Sequence, residues 1–224
     1  MQSIENYKNN YKETGIVTIP SFISDDILQG VKTELENYKW WVCAVRPYKN
    51  IPETGYLYEF PEDDECIYNL ENNHFCYRFK RSYGIHYTTC TCISCRLEEY
   101  AKSEYVMDTI CKIVDCAKIV PNEIFISNYG KDDFLSIHHD IGKGDISATF
   151  SLTDDWNPSW GGVLHFCDES KNIYKSVSPY LGSLNLFRLD LVSGLDHFVS
   201  TVVVNKNRYT LTAWYTIINE ENTI

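Results

Sequence analysis

Residues 208–217 read RYTLTAWYTI, a stretch with the β-branched and aromatic composition of a strand. Because side chains alternate between the two faces of a strand, one face carries four of these residues: Arg208, Thr210, Thr212 and Trp214. An arginine that faces a protein core is costly unless its charge is paired. Two interpretations remain open: Arg208 forms a buried salt bridge with an acidic neighbour, or its guanidinium clamps a carboxylate ligand.

Short alternating runs of the same kind fill the chain from Pro121 onward, separated by turn-forming residues such as IGKGD at 141–145. The seven runs are EIFISNY, FLSIHHD, ISATFSL, GVLHFC, SLNLFRL, HFVSTVVV and RYTLTAWYTI. Short strands at this spacing predict a mainly β fold, either a sandwich or a barrel. The 17 tyrosines also favour a strand-rich protein with half-buried aromatic surfaces.

The residues before Pro121 are predicted to support this β core, because 224 residues suit one sizeable core rather than two. The sequence pattern predicts strands at 15–20, 40–43 and 75–80, and helices at 25–38 and 103–116. Residues 47–73 are rich in Pro, Gly, Asn and acidic side chains, which predicts a loop or lid containing a short strand at 56–60. We expect one domain over 1–224, with support and lid in 1–120 and the barrel core in 121–218.

Composition and charge narrow the class of protein. The 44% hydrophobic and 23% charged residues are ordinary values for a soluble globular domain. The net charge of -11 repels phosphate backbones, so nucleic acid is not expected as a primary partner. The first residues carry no apolar signal-peptide core, and no apolar run reaches the length of a membrane span. We therefore expect an intracellular protein that is not embedded in a membrane.

A candidate metal centre follows from the histidines near the strand ends. On a strand, His138 and Asp140 share a face, whereas His139 points the opposite way. A distant strand that begins near His197 would add a second imidazole. Two histidines and one carboxylate on one side of a metal leave coordination positions open, the ligand set of non-haem iron(II) oxygenases. His-x-Asp alone is weak evidence, since a polar pair before a turn looks the same.

In combination, these residues resemble the double-stranded β-helix (jelly-roll) 2-oxoglutarate oxygenases. The similarity is greatest to prolyl hydroxylases of the oxygen-sensing and ribosomal-protein types. Four stretches between Asn122 and Ile218 carry it: NYG at 128–130 with FL at 134–135, LTDDW at 152–156, WGGVL at 160–164, and RYTLTAWY at 208–215.

The resemblance implies roles for individual residues. His138, Asp140 and His197 would bind iron(II), and Arg208 would bind the distal carboxylate of 2-oxoglutarate. Tyr129 and Thr212 would supply hydrogen bonds to that co-substrate, although a core tyrosine and an ordinary strand threonine are equally good interpretations. Trp214 would pack beneath the iron site. Oxygen would be the second co-substrate, and the metal would carry the reactivity while the protein orients its ligands and excludes water.

Three functions are compatible with these sequence features. The leading hypothesis is hydroxylation of a prolyl residue in a protein or peptide, because prolines and tyrosines in the lid, such as Pro52, Tyr56, Tyr58 and Pro61, suit an extended peptide. The second keeps the chemistry and changes the substrate to a free amino acid or another small molecule. The third is a catalytically silent β-barrel binding module that is stabilised by a zinc–thiolate cluster.

Cys90, Cys92 and Cys95 are the residues on which that third hypothesis depends. With a fourth ligand such as Cys76, His74 or His86 they would form a structural zinc site. The second Cys-x-x-Cys of a zinc finger is missing, so free thiols are the preferred interpretation. A redox pair is a further alternative.

Overall fold

The computed structural model describes residues 3–46, 57–61, 65–83, 89–189 and 195–218. Its helices are α1 (Ile4–Thr14), α2 (Asp25–Leu28), α3 (Val31–Glu36), α4 (Cys66–Glu71), α5 (Ile93–Ala101) and α6 (Glu104–Val114), with a 3-10 turn at Pro158–Trp160. Its strands are β1 (Ile16–Ile19), β2 (Trp41–Arg46), β3 (Tyr77–Ser82), β4 (Ile119–Tyr129), β5 (Phe134–His138), β6 (Ile146–Ser151), β7 (Leu164–Cys167), β8 (Ile173–Val177), β9 (Leu184–Arg188), β10 (Asp196–Val199) and β11 (Arg208–Ile217).

The strands pair antiparallel into one strongly curved sheet that nearly closes as a barrel. Their order is β1-β9-β6-β11-β4-β3-β5-β10-β7-β8, and β2 adds to β3. The longest ladder joins β11 to β4, from Arg208 opposite Tyr129 to Ile217 opposite Ile119. The predicted mainly β, jelly-roll architecture with supporting helices is confirmed.

Alternation along β11 separates the two faces of the sheet as the sequence predicts. Tyr209, Leu211, Ala213 and Tyr215 pack against the helices, and the Tyr215 hydroxyl donates to the Ala101 carbonyl at 2.8 Å. The opposite face, which carries Arg208, lines the barrel interior. Each fully buried aliphatic or aromatic side chain on the helix side contributes about 1.5–3 kcal/mol to folding. This packing fixes which face of β11 turns inward.

The predicted helix at 103–116 forms as α6, and its ends have the expected chemistry. The Ser103 hydroxyl caps the N-terminus by accepting from the Val106 amide, and Asp115 ends the helix in a left-handed conformation with a φ of 62°. Val106 and Ile110 are fully buried against the helix side of the sheet. The apolar stripe therefore has the structural role that its spacing indicates.

Other predictions about this supporting region are wrong. The helix expected at 25–38 is two short helices, because Gly30 adopts a left-handed φ of 80° between them. The expected loop at 47–73 contains α4, and Leu57 makes an isolated bridge to Cys43 where a strand was expected. Strand β8 was not predicted, and β10 ends at Val199, well before the end of the HFVSTVVV run. The lid residues 47–56 lie outside the described residues.

No helix in the described part of the chain combines the length and apolar character that crossing a membrane requires.

Candidate functional site

His138, Asp140 and His197 come together inside the barrel. His138 and His197 are direct cross-strand partners on β5 and β10, with their ring centroids 4.3 Å apart. Asp140 follows the end of β5, and its two carboxylate oxygens lie 3.4 Å from His138 Nε2 and 3.6 Å from His197 Nε2. One ligand atom from each of the three residues lies within 4.8 Å of the other two. The cluster could hold a single metal ion.

Both imidazoles are oriented by the backbone. His138 Nδ1 lies 2.9 Å from the Ser136 carbonyl oxygen, and His197 Nδ1 lies 2.8 Å from the Leu195 carbonyl oxygen. A carbonyl oxygen only accepts hydrogen bonds, so each Nδ1 carries the proton in the neutral ring. Each Nε2 then keeps a free lone pair that points toward Asp140. This is the arrangement that orients histidines for metal ligation.

A hydrogen bond from a neighbouring side chain also restrains Asp140. The Trp214 indole N–H donates to Asp140 Oδ2 at 3.2 Å. Burial alone would raise the pKa of the Asp140 carboxyl, but the close approach of the His138 and His197 rings outweighs it and holds that pKa well below its usual range. Asp140 is therefore an ionised ligand candidate. Trp214 therefore contacts the cluster through Asp140.

Arg208 lies in the same cavity, which has a volume of about 280 Å³. Its side chain is almost completely buried, and its Nε has no hydrogen-bond partner among the described residues. No carboxylate in the described part of the chain forms an ion pair with Arg208. Its guanidinium carbon lies 5.3 Å from the centroid of the Tyr129 ring. Burial lowers the pKa of this guanidinium, so an anionic ligand would relieve an uncompensated charge.

Two other polar side chains of the cavity wall also lack hydrogen-bond partners among the described residues, Thr210 near Arg208 and Ser147 opposite Trp214. Tyr129 and Thr212, the two predicted helpers, also line the cavity. Ser147 was not predicted, although alternation in ISATFS places it on the same face as Thr149. Buried donors and acceptors without partners indicate that the cavity suits an oxygen-rich ligand.

Phe75 is a further residue that the sequence did not identify. Its ring stacks on His138, with centroids 5.2 Å apart and planes at 21°. It lies just before β3 and lines the opening of the cavity. No spacing rule connects Phe75 to His138, because the contact exists only after β3 pairs with β5.

The cysteine cluster forms, but the alternative of a zinc site there is not supported. Cys90, Cys92 and Cys95 bring their sulfur atoms within 4.8 Å of one another, and Cys92 Sγ lies 3.7 Å from Cys95 Sγ. A structural zinc site needs four ligands, and none of the other described residues joins these three. Of the proposed fourth ligands, Cys76 packs against Cys66 and Phe134, His74 contacts Asn69, and His86 lies outside the described residues.

Comparison with protein families identifies the relatives of the barrel. Residues 124–216 match the model of the 2OG-Fe(II) oxygenase superfamily. The match covers β5 to β10 and most of β4 and β11, which is less than half of the chain. The resemblance that the sequence predicts is therefore confirmed. No curated protein matches the chain.

Solved structures of this superfamily share the fold at low sequence identity. A 2OG-Fe(II) oxygenase-family oxidoreductase from Burkholderia pseudomallei superposes with a TM-score of 0.68 at 12% identity, covering 97% of this chain and 92% of that one. A Trichoplax adhaerens prolyl hydroxylase in complex with a hypoxia inducible factor peptide fragment gives 0.65 at 14% identity, covering 96% and 89%. HygX from Streptomyces hygroscopicus, with nickel, 2-oxoglutarate and hygromycin B bound, gives 0.56 at 13% identity, covering 95% and 86%.

Proposed function

We propose that this chain is an iron(II)- and 2-oxoglutarate-dependent dioxygenase that hydroxylates a prolyl residue in a protein or peptide. One observation carries the proposal. A metal-ligand cluster and a buried arginine with an unsatisfied Nε open into the same cavity. The catalytically silent module is disfavoured, because a buried arginine without a compensating charge is destabilising. A module that binds neither metal nor co-substrate would gain nothing to offset that cost.

The metal would be held by His138, Asp140 and His197. Their Nε2 atoms and carboxylate oxygens already converge, and backbone carbonyls fix the histidine tautomers. Bound iron would let oxygen oxidise both 2-oxoglutarate and a substrate C–H bond, so that one oxygen atom enters succinate, carbon dioxide is released and the other oxygen atom becomes a hydroxyl group on the substrate. The three side chains hold their positions, and Trp214 keeps Asp140 in place through its indole N–H.

The co-substrate would be oriented by the polar end of the cavity. Arg208 would make a charge-assisted contact with the distal carboxylate. The unsatisfied hydroxyl of Thr210, two residues from Arg208 on the same strand face, would accept or donate one hydrogen bond, with Tyr129 and Thr212 completing the wall. Aromatic and aliphatic side chains close the rest of the barrel interior and exclude water from the reacting atoms.

Two structural relatives bear on the substrate class, and they bind different kinds of molecule. The Trichoplax adhaerens enzyme is a prolyl hydroxylase bound to a peptide fragment, whereas HygX is bound to hygromycin B. Prolyl hydroxylases are also the proteins that the four sequence stretches resemble, which favours a peptide substrate. A small-molecule substrate is the second candidate, because a fold shared at this level of identity accommodates both.

The test is a reaction of the purified protein with iron(II), 2-oxoglutarate and a panel of proline-containing peptides. Mass spectrometry should show the gain of one oxygen atom on a proline, together with stoichiometric succinate. At a 2-oxoglutarate concentration that does not saturate the variant, Arg208→Ala should strongly reduce both. Hydroxylation of a free amino acid or another small molecule, with every peptide unchanged, would support the second candidate. A protein that binds neither metal nor 2-oxoglutarate would refute both oxygenase proposals.

A further inference from the structure

Three cationic side chains surround the opening of the cavity, in a chain whose net charge is -11. Arg46 ends β2, Arg81 lies on β3, and Lys143 lies in the turn that follows Asp140. Glu123 is the one carboxylate that lines the same opening among the described residues, since Asp140 lies deeper with the histidines. Among the described residues, more positive than negative side chains therefore line this opening, although the chain as a whole is negative.

Each of these cations lies over an aromatic ring, which restrains where its charge is presented. The Arg46 guanidinium carbon is 5.1 Å from the centroid of the Phe75 ring, and Lys143 Nζ is 5.1 Å from the Trp214 ring. Arg81 lies 4.2 Å from the Phe125 ring and is also paired with Glu123 at 2.7 Å. Because Glu123 already neutralises Arg81, Arg46 and Lys143 are the cations at this opening that have no acidic partner among the described residues.

The rings under Arg46 and Lys143 each contact a candidate metal ligand. Phe75 stacks on His138, and Trp214 donates its indole hydrogen bond to Asp140. Arg46 and Lys143 are therefore each one aromatic ring away from a ligand of the proposed iron. An anionic group that contacts either cation would lie close to the substrate carbon that is oxidised.

We propose that the substrate is an acidic peptide, in which Asp or Glu side chains flanking the target residue bind Arg46 and Lys143. The inference rests on the proposed function and names the charge of its substrate. Both cations are exposed at the rim, so they are accessible to a peptide.

The overall negative charge does not prevent this recognition. At physiological ionic strength the Debye length is about 8 Å, so acidic residues elsewhere on the surface are largely screened from the opening. Cations at the rim act within that distance of a bound peptide. They would accelerate association with acidic segments and disfavour basic ones.

The test uses three peptides of equal length that share one central proline and differ only in acidic, neutral or basic flanking residues. Binding is measured by fluorescence anisotropy, and turnover by mass spectrometry with succinate release. We expect the acidic peptide to bind and react about tenfold better than the neutral one, with the difference shrinking at high salt. The basic peptide should be the poorest of the three.

Charge variants test whether the preference for acidic peptides depends on Arg46 and Lys143 or on the charge of the protein in general. Arg46→Gln and Lys143→Gln should each reduce the preference for the acidic peptide, and Lys143→Glu should shift preference toward the basic peptide. Lys206→Gln is the matched control, because Lys206 also lies over a tryptophan ring, Trp160, at 4.6 Å, but neither residue lines the cavity. The control should leave the preference unchanged.

The outcomes distinguish this inference from the proposed function. Equal binding and turnover of the acidic and neutral peptides would overturn the inference while prolyl hydroxylation stands. Tighter binding of the acidic peptide without oxidation of its proline would support the inference and refute proline as the target. A loss of preference in Lys206→Gln as large as that in Lys143→Gln would also overturn it.

Discussion

Arg208 and Tyr129 are direct cross-strand partners on β11 and β4, and the guanidinium lies against the face of the tyrosine ring, 5.3 Å from its centroid. The ring positions the arginine without neutralising it, because the charge keeps an unsatisfied Nε among the described residues. A buried cation that is positioned but not paired by its own protein is prepared for an anionic ligand.

The first prediction follows from this relationship. Arg208→Ala should weaken 2-oxoglutarate binding by about 10- to 100-fold, since a hydrogen bond to a charged group contributes about 1.5–3 kcal/mol. Arg208→Lys should recover only part of the affinity, because an ammonium lacks the two-pronged fit to a carboxylate. Calorimetric titration measures both variants, and metal affinity should change little.

Arg96→Ala is the control for that experiment. Arg96 forms an exposed ion pair with Glu34 at 2.7 Å, remote from the cavity, and such pairs contribute about 0–1 kcal/mol. Its 2-oxoglutarate affinity should equal that of the wild type. Unchanged affinity in Arg208→Ala would assign Arg208 a purely structural role.

A second prediction concerns the metal. His138→Ala should weaken binding of iron(II) or manganese(II) by more than the about 10- to 100-fold that loss of an outer-shell partner costs. His165→Ala is the matched control, because His165 contacts Ser176 and stacks on Phe198 instead of joining the cluster. Chelation should stop succinate formation, and added iron(II) should restore it. Equal metal affinity in the two variants would exclude His138 as a ligand.

Phe75 gives a third prediction, about positioning. Phe75→Ala should weaken metal binding by about tenfold, because the ring that restrains the His138 imidazole is lost. Phe75→Tyr should retain most of the affinity. Phe198→Ala removes a similar stacking contact, 4.7 Å from His165, and should leave metal affinity unchanged. Similar losses in both alanine variants would indicate general destabilisation of the barrel instead.

The barrel could be predicted from sequence because its strands have two different faces. In RYTLTAWYTI, one face packs on helices and the other lines a cavity, so alternation is strict and the inward position of Arg208 follows from it. Strand β8 has no such contrast, since Ile173 and Tyr174 are both exposed at the edge of the sheet. Its sequence therefore carries no period-two signal.

Other features depend on tertiary contacts that a local pattern cannot encode. Helix α4 exposes Ile67, Tyr68 and Leu70 and buries Cys66, whose thiol contacts the Arg46 and Tyr77 carbonyls. An apolar stripe is absent, so the sequence resembles a loop. The stacking of Phe75 on His138 likewise requires the pairing of β3 with β5. The clustering of His138, Asp140 and His197 could be predicted because these residue types are chemically restrictive, whereas serine and threonine, as at Ser147 and Thr210, are found in most strands.

The last prediction concerns stability and pH. Asp133 is buried, its Oδ2 accepts from the Gly130 amide at 2.8 Å, and Arg78 Nε lies 3.5 Å from its Oδ1. Burial raises the pKa of this carboxyl from 3.8 to about 7, despite the opposing effects of the Gly130 amide and Arg78. Between these two values the folded state binds the proton and the unfolded state does not. The free energy of unfolding should therefore fall as pH rises from about 4 to about 7, by up to about 4 kcal/mol from this group.

Urea unfolding of the wild type and of Asp133→Asn across this pH range measures that contribution. The amide keeps an acceptor for Gly130 and cannot ionise, so the variant should lose less stability than the wild type as pH rises. Asp132→Asn is the control, because Asp132 is an exposed neighbour whose left-handed φ of 68° asparagine adopts equally well. Its pH dependence should match the wild type. Parallel curves for the wild type and Asp133→Asn would mean that Asp133 is ionised in the folded protein at neutral pH, with Arg78 compensating its charge.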